Sequence, residues 1–378
     1  MPELKILMLN YEFPPIGGGA GKAHLSLLKQ YADNSELKID VLTSSPKPGF
    51  IAEKLAENIT IYKVGVHKKN LHYWRKIEVF EWLFKAGFHY RRMLRENDYD
   101  LVHAFFGFPT GWLCFRTADK LPYIISLRGS DVPGYNIRLG MDYKLMAGLF
   151  RRIWASAAAI VANSEGLRNL ALEFMPASDI AVIPNGIDTN KFYPAKEKTL
   201  EKPIKLLTVC RLISRKRIDL LIRAVAKAKS LGLDAKLGIA GEGNLMAQLQ
   251  RLAKELNVAD DVNFIGRVPA EQMPQLYRDN DIFVMSSAHE GMSNAMLEAM
   301  ASGLPIITTR CEGVQELITD NGIVLEQANA EEIAKAIKKL ADDKQLYEKM
   351  CKAARKQVEN FSWNRVANKY LKIYKSII

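Results

Sequence analysis

The chain has 378 residues, 48% apolar and 25% charged, which is globular composition and enough length for two domains with a core each. Its formal charge of +11 leaves open nucleic acid, an anionic membrane, an anionic substrate or a merely solvated basic face. Cys114, Cys210, Cys311 and Cys351 form no C-x-x-C pair, so neither a zinc site nor a disulfide framework is suggested, and the usage fits a reducing cytosol.

The first strand is expected in "KILMLN", within a few residues of Met1 and without the pattern of a signal peptide. The glycine-rich stretch "FPPIGGGAGKAH", residues 13–24, follows it. Such loops let backbone N–H groups approach an anion. The P-loop pattern fails, because Ile16 stands where its first glycine belongs and Ala23 follows the lysine. The dinucleotide fingerprint fails at Lys22. What remains is a strand, a tight turn and a helix, "HLSLLKQYAD".

Next come strands in "KIDVLTS" and "ITIYKV" and a long helix, "WRKIEVFEWLFKAGFHYRRMLREN". Residues 68–95 hold eight Lys or Arg against two Glu, with aromatics interleaved. That composition suits an amphipathic helix at an anionic membrane surface. The plainer expectation packs the stripe Ile77, Phe80, Phe84 and Phe88 on the first sheet and leaves the arginines in solvent. No nucleic-acid motif accompanies the stretch, so no nucleic-acid partner is expected. No apolar run is long enough to span a bilayer.

Strands in "DLVHAF", "PYIISL" and "AAIVANS" complete the first series, and residues 180–205, rich in Pro, Lys and Glu, read as a linker. A second series follows in "IKLLTVCRL", "AKLGIAGEG", "DVNFIGRV", "DIFVMSS", "LPIITTR" and "NGIVLE", with helices in "IDLLIRAVAKAKSLG" and "NLMAQLQRLAKELN". Alternating strand and helix implies two parallel sheets with helices on both faces, and ligands beyond the carboxyl ends of the strands.

The stretch "DIFVMSSAHEGMSNAMLEAMASGLPIITT" carries the most chemistry. Ser293 is a good N-cap, Asn294 to Ala301 are expected to be helical, and Gly303 closes the helix. The first N–H groups, at Asn294 and Ala295, would then seat a diphosphate at the positive end of the helix. Glu298 lies one turn in, where a carboxylate can grip a ribose diol. Glu290 stands at the strand end, aimed at whatever the phosphate carries. In "VCRLISRKRIDLLI", Arg211 and Lys216 follow a strand and precede a helix, and are candidates to neutralise a leaving diphosphate. Arg215 and Arg217 crowd the same turn as solvated charges. The backbone of Gly266, Arg267 and Val268 in "FIGRVP" could read a nucleobase edge, and Gly241 to Gly243 form another turn at a strand end.

Taken together, "PPIGGG", "RLISRK", "FIGRV" and the E-x7-E element from Glu290 to Glu298 resemble the GT4 family of retaining glycosyltransferases. The resemblance implies the GT-B fold: two Rossmann-like doubly wound domains facing each other across a cleft. An acceptor-side domain over 1–188, a nucleotide-sugar domain over 189–361 and a last helix, 362–378, crossing back with Ser362 as its cap would make up the chain. It implies that Glu298 holds the ribose and Glu290 the donor sugar, at its 3-hydroxyl. Arg211 and Lys216 would stabilise the departing diphosphate. The backbone of Met292, Ser293, Asn294 and Ala295 would touch sugar hydroxyls and phosphate, and Gly18 and Gly19 would lie against the phosphates. No metal or other cofactor is implied. The sequence departs from the family where many members carry His-x-His: His103 is present, but Phe105 takes the second place, and Arg128 stands where a histidine is frequent. His103 is therefore read as a packed strand histidine or an acceptor-side group, and Arg128 and Asp131 as serving the acceptor or the leaving phosphate.

The expected activity is transfer of a hexose or N-acetylhexosamine from a nucleotide-diphospho-sugar, UDP in preference to GDP, to a glycan or lipid-linked acceptor. Expected location is the cytoplasm, with peripheral contact at the inner membrane face. An epimerase of the same two-domain form and a non-catalytic nucleotide-sugar-binding protein stay open as alternatives.

Overall fold

The computed structural model describes residues 3–71, 73–136, 139–196 and 199–378. His72, in the basic aromatic stretch, and Glu197 and Lys198, in the expected linker, lie outside them. The chain divides into two units, Met1–Gly186 with Trp363–Ile378, and Ile187–Ser362; the division was expected after residue 188, and again after 361.

In chain order the first unit contains β1 (Leu4–Asn10), α1 (Gly19–Tyr31), β2 (Leu37–Ser45), β3 (Phe50–Ala56), β4 (Ile59–Gly65), α2 (Lys76–Glu96), β5 (Leu101–Phe105), α3 (Thr110–Phe115), β6 (Tyr123–Leu127), α4 (Gly140–Ala155), β7 (Ala159–Ala162), α5 (Glu165–Phe174) and β8 (Ile180–Val182). Its strands pair in the order β3-β4-β2-β1-β5-β6-β7-β8. Central strands β5 and β6 are buried at every residue, as their unbroken apolar runs require in a sheet covered on both faces. The pairing is parallel except at β3, an edge strand antiparallel to β4; an expectation of wholly parallel sheets missed it, because "FIAEKLA" has no continuous apolar run. Strand β8 lies inside the stretch read as a linker, where Ile180 and Ile183 join the core.

The second unit contains β9 (Ile204–Val209), α6 (Ile218–Ser230), β10 (Ala235–Ala240), α7 (Met246–Glu255), β11 (Val262–Gly266), α8 (Met273–Arg278), β12 (Ile282–Met285), α9 (Asn294–Ala301), β13 (Ile306–Thr309), α10 (Val314–Leu317), β14 (Gly322–Leu325), α11 (Ala330–Asp342) and α12 (Lys344–Val358). Its sheet is parallel throughout, in the order β11-β10-β9-β12-β13-β14. The last helix, α13 (Trp363–Ile377), belongs to the first unit. It buries Val366, Ala367, Tyr370 and Tyr374 there, and the Tyr31 hydroxyl donates to the Ala367 carbonyl at 2.9 Å.

Helix α2 corrects one expectation outright. Ile77, Phe80, Phe84 and Phe88 do not pack on the sheet: they are 71%, 56%, 84% and 64% exposed. The inward face is Glu78, Trp82, Ala86, Tyr90 and Met93. The helix is apolar on two faces, and periodicity alone does not say which one the sheet takes. Glu78 enters the interior because Lys68 (2.7 Å) and Arg75 (2.9 Å) pair with it.

Candidate active site

The second unit gathers its chemistry at the carboxyl ends of β9 and β12. After β9, a turn of 3-10 helix, Ser214–Lys216, leads into α6 through Arg217, whose φ of 48° is left-handed. Two residues from the β12 side, Ser286 and Ala288, hold this turn in place. The Ser286 hydroxyl lies 2.9 Å from the Lys216 carbonyl and 2.8 Å from that of Arg217, and the Ala288 N–H donates to the Arg215 carbonyl at 2.8 Å. With the two loops laced by their backbones, the Lys216 ammonium meets the Glu290 carboxylate directly as an ion pair. Lys216 is 8% exposed, so this charge is largely withdrawn from water and depends on its partner. Arg211 sits exposed on the loop before the turn.

The loop bearing Glu290 is tied a second time, by a residue the sequence reading missed. Glu312 accepts the Glu290 N–H at 2.9 Å through one carboxylate oxygen and meets the His289 ring at 2.7 Å with the other. The Gly313 N–H donates to the Glu290 carbonyl at 3.1 Å, and a Cβ on Gly313 would lie 1.7 Å from the Gly291 carbonyl oxygen. Only glycine permits that approach. No spacing rule in the sequence points from Glu312 to Glu290, since the bond joins two loops.

Helix α9 starts as expected. The Ser293 hydroxyl accepts the Met296 N–H at 3.3 Å, and Gly303 follows the helix at φ 72°. Its amino end, at Asn294 and Ala295, carries the partial positive charge of any helix start. One turn in, a Glu298 carboxylate oxygen accepts the hydroxyl of Tyr277 at 2.9 Å. Tyr277 is fully buried, and burial, then the charge of Glu298, pushes its phenol well above the usual range. It therefore acts only as a donor, fixing one carboxylate oxygen of Glu298.

At the end of β11, Gly266 adopts φ 75° with open space where a Cβ would stand. Its carbonyl accepts the Gly241 N–H at 2.7 Å, so one of the backbone groups expected to read a base already has an internal partner. Arg267 is exposed and Val268 half-buried. Gly241 and Gly243 support Arg211: a Cβ at either would lie 1.9 Å from the Cys210 carbonyl or 2.2 Å from that of Leu212. Burial pushes the Cys210 thiol up to about 11 and raises that of Cys311 too, so neither is a thiolate nucleophile at neutral pH.

In the first unit the glycine loop wraps around Glu12. Gly17 (φ 92°) and Gly21 leave no room for a Cβ, which would lie 2.7 Å from Glu12 atoms at each. Gly18, at the start of α1, has nothing within 4 Å of a Cβ, and Gly19 is exposed. His103 is corrected as an acceptor contact. It has no exposed surface, and its ring nitrogens meet the Tyr374 hydroxyl and the Ser126 hydroxyl at 2.7 Å each. Phe105 is likewise fully buried, stacked between His24 (3.9 Å) and His103 (4.3 Å). Both carboxylate oxygens of Asp131 are occupied, by the N–H of Arg128 at 2.9 Å and of Gly107 at 2.8 Å, which ties the loops after β5 and β6 together. Arg128 is half-buried, with its guanidinium 4.7 Å over the Phe105 ring.

Two family profiles match the chain, one described as Glycosyl transferases group 1 over residues 189–357 and one as Glycosyltransferase Family 4 over 17–191. The chain is 27% identical to N-acetyl-alpha-D-glucosaminyl L-malate synthase of Bacillus anthracis, covering 100% of this chain and 98% of that one. It is 30% identical to the GDP-mannose-dependent alpha-(1-6)-phosphatidylinositol monomannoside mannosyltransferase of Mycolicibacterium smegmatis, over 72% of this chain and 75% of that one. Among solved structures, Anabaena HepE in complex with UDP and glucose superposes with a TM-score of 0.74 at 18% identity, covering 99% and 100% of the two chains.

Proposed function

The chain belongs to glycosyltransferase family 4 and has the GT-B fold, and from that premise we propose a retaining, metal-independent enzyme that moves a hexose or N-acetylhexosamine from a nucleotide-diphospho-sugar to a glycan or lipid-linked acceptor. The observation that carries the reading is the Lys216–Glu290 ion pair beside the amino end of α9. In the free enzyme each charge satisfies the other. When a donor enters, its diphosphate takes Lys216, Arg211 and the α9 terminus, and Glu290 is released to a sugar hydroxyl. The cations and the helix dipole then stabilise the leaving diphosphate in place of a metal ion. The acceptor attacks on the face that the diphosphate vacates. Glu298, aimed by Tyr277, grips the ribose, and the backbone at Gly266 to Val268 lies against the base.

UDP is the preferred nucleotide, supported by the HepE complex with UDP; the GDP-mannose named for the mycobacterial relative makes GDP the rival. The exposed stripe of α2 supports peripheral contact with an anionic membrane, because four large apolar groups in water sit among Arg75, Lys76, Arg91, Arg92 and Arg95. No helix among the described residues is long and apolar enough to cross a membrane.

A thermal-shift panel of UDP-, GDP- and ADP-sugars tests the donor, since a ligand that binds the folded state alone stabilises it by mass action. UDP-sugars are expected to raise the melting temperature. Turnover is expected to survive EDTA, and Glu290→Gln to keep nucleotide binding while losing roughly 10²-fold or more in rate. A panel with no shift in any member rejects the reading.

A further inference from the structure

Arg128, at the end of β6, forms no ion pair among the described residues. Its Nη1 donates to the Asn185 side-chain oxygen at 3.0 Å and its Nη2 to the Tyr370 hydroxyl at 3.3 Å, while its Nε is buried without a partner. Among the described residues no acidic side chain lies within ion-pair distance of the guanidinium. The acid closest by in sequence, Asp131, spends both oxygens on backbone N–H groups. A guanidinium stays protonated at any working pH, and a half-buried cation with neutral partners is costly until an anion meets it.

The side chains that touch the guanidinium are neutral, and the one carboxylate whose charge it feels, Asp131, is held by backbone N–H groups. Phe105 offers its ring face at 4.7 Å. The Tyr370 hydroxyl continues to Ser126 (2.9 Å), Ser126 to His103 (2.7 Å), and His103 to Tyr374 (2.7 Å). Burial holds His24 and His103 well below the ordinary imidazole range, and the charge of Arg128 pushes both the same way. The two departures noted in the sequence, Phe105 and Arg128, are thus one device: an aromatic face and a permanent cation, braced by the last helix.

We propose that Arg128 receives an anionic group, a carboxylate or a phosphate, carried by the acceptor. The proposal rests on glycosyl transfer as the activity and names the acceptor's chemical class. The acceptor is preferred to the donor because the donor diphosphate already has two cations, Arg211 and Lys216, assigned to it.

The test is calorimetric titration of the intact protein with L-malate, with glycerol 3-phosphate and with phosphatidylinositol vesicles, each beside UDP as a donor-side control. At least one of the three anionic probes is expected to bind wild type, tenfold or more weakly to Arg128→Gln, with UDP unchanged. Arg128→Lys, which keeps the charge but not the planar fork, is expected to fall between, as is Tyr370→Phe; these two serve if the Gln variant does not fold. Loss confined to the vesicle arm assigns the anion to a lipid headgroup, and loss in a soluble arm to a small acceptor; either supports the proposal. Equal binding by wild type and variants, no binding of any probe to wild type, or a fall in UDP affinity alongside the probes overturns it. Failure of UDP to bind wild type at all would instead strike the nucleotide reading above.

Discussion

Tyr277 shows how much a single hydroxyl can decide. It is fully buried, and its hydroxyl donates to the Glu298 carboxylate at 2.9 Å. Tyr277→Phe keeps the packing and removes the donor. A hydrogen bond to a charged group is worth about 1.5–3 kcal/mol, so nucleotide affinity by calorimetry is expected to fall roughly tenfold, and an unchanged value would detach Glu298 from the ribose. Glu78 gives a pH signature elsewhere in the chain. Burial alone would raise its pKa, but bonds from Lys68 and from the N–H groups of Arg75 and Lys69 outweigh it and hold the group at about 2, against an ordinary 4.5. A folded-state pKa below the unfolded one gives stability that is complete above about pH 4.5 and is lost as pH falls toward 2. The urea midpoint of wild type is expected to drop across that window, and Glu78→Gln to start lower and drop less.

Among the elements, α2 and the loop after β12 behave in opposite ways. In α2 the inward face is fixed by Trp82, Ala86 and Tyr90, so the outward stripe is free to vary without unfolding the protein. Phe80→Ser with Phe84→Ser is therefore expected to leave thermal stability within about 0.5 kcal/mol per site. The same pair is expected to abolish co-flotation with phosphatidylglycerol vesicles, while phosphatidylcholine vesicles recover little of either protein. Equal flotation of variant and wild type would leave the stripe without a membrane role. The β12 loop has no such freedom. Glu312, Gly313 and Ser286 each bond or crowd its backbone or that of the turn before α6.

At the scale of the molecule, the chain closes its first unit with its last sixteen residues. Tyr370 and Tyr374 complete a hydrogen-bond chain through Ser126 and His103, and Tyr31 bonds the Ala367 carbonyl. Truncation after Ser362 strips these partners from β5, β6 and α1 and leaves the second unit's own core of Leu206, Leu237 and Ile282 whole. Hydrogen exchange is expected to show lost protection in residues 101–127 and native protection in 204–240. Equal loss in both segments would mean that the units do not unfold separately.

The sequence by itself determined two alternating α/β series, the cap and extent of α9, and the pairing of Arg211 and Lys216 with a strand end, because each is a local pattern: an apolar run, a Ser before a helix, a glycine after it. It was silent on β3 and β8, whose runs are short or mixed, and on which apolar face of α2 the sheet would take. Only tertiary structure joined Lys216 to Glu290, set Glu312 and Tyr277 behind the two acids, and turned Phe105 inward beneath Arg128. Those contacts cross 21 to 74 residues of chain, and a distance that long has no period for a sequence to display.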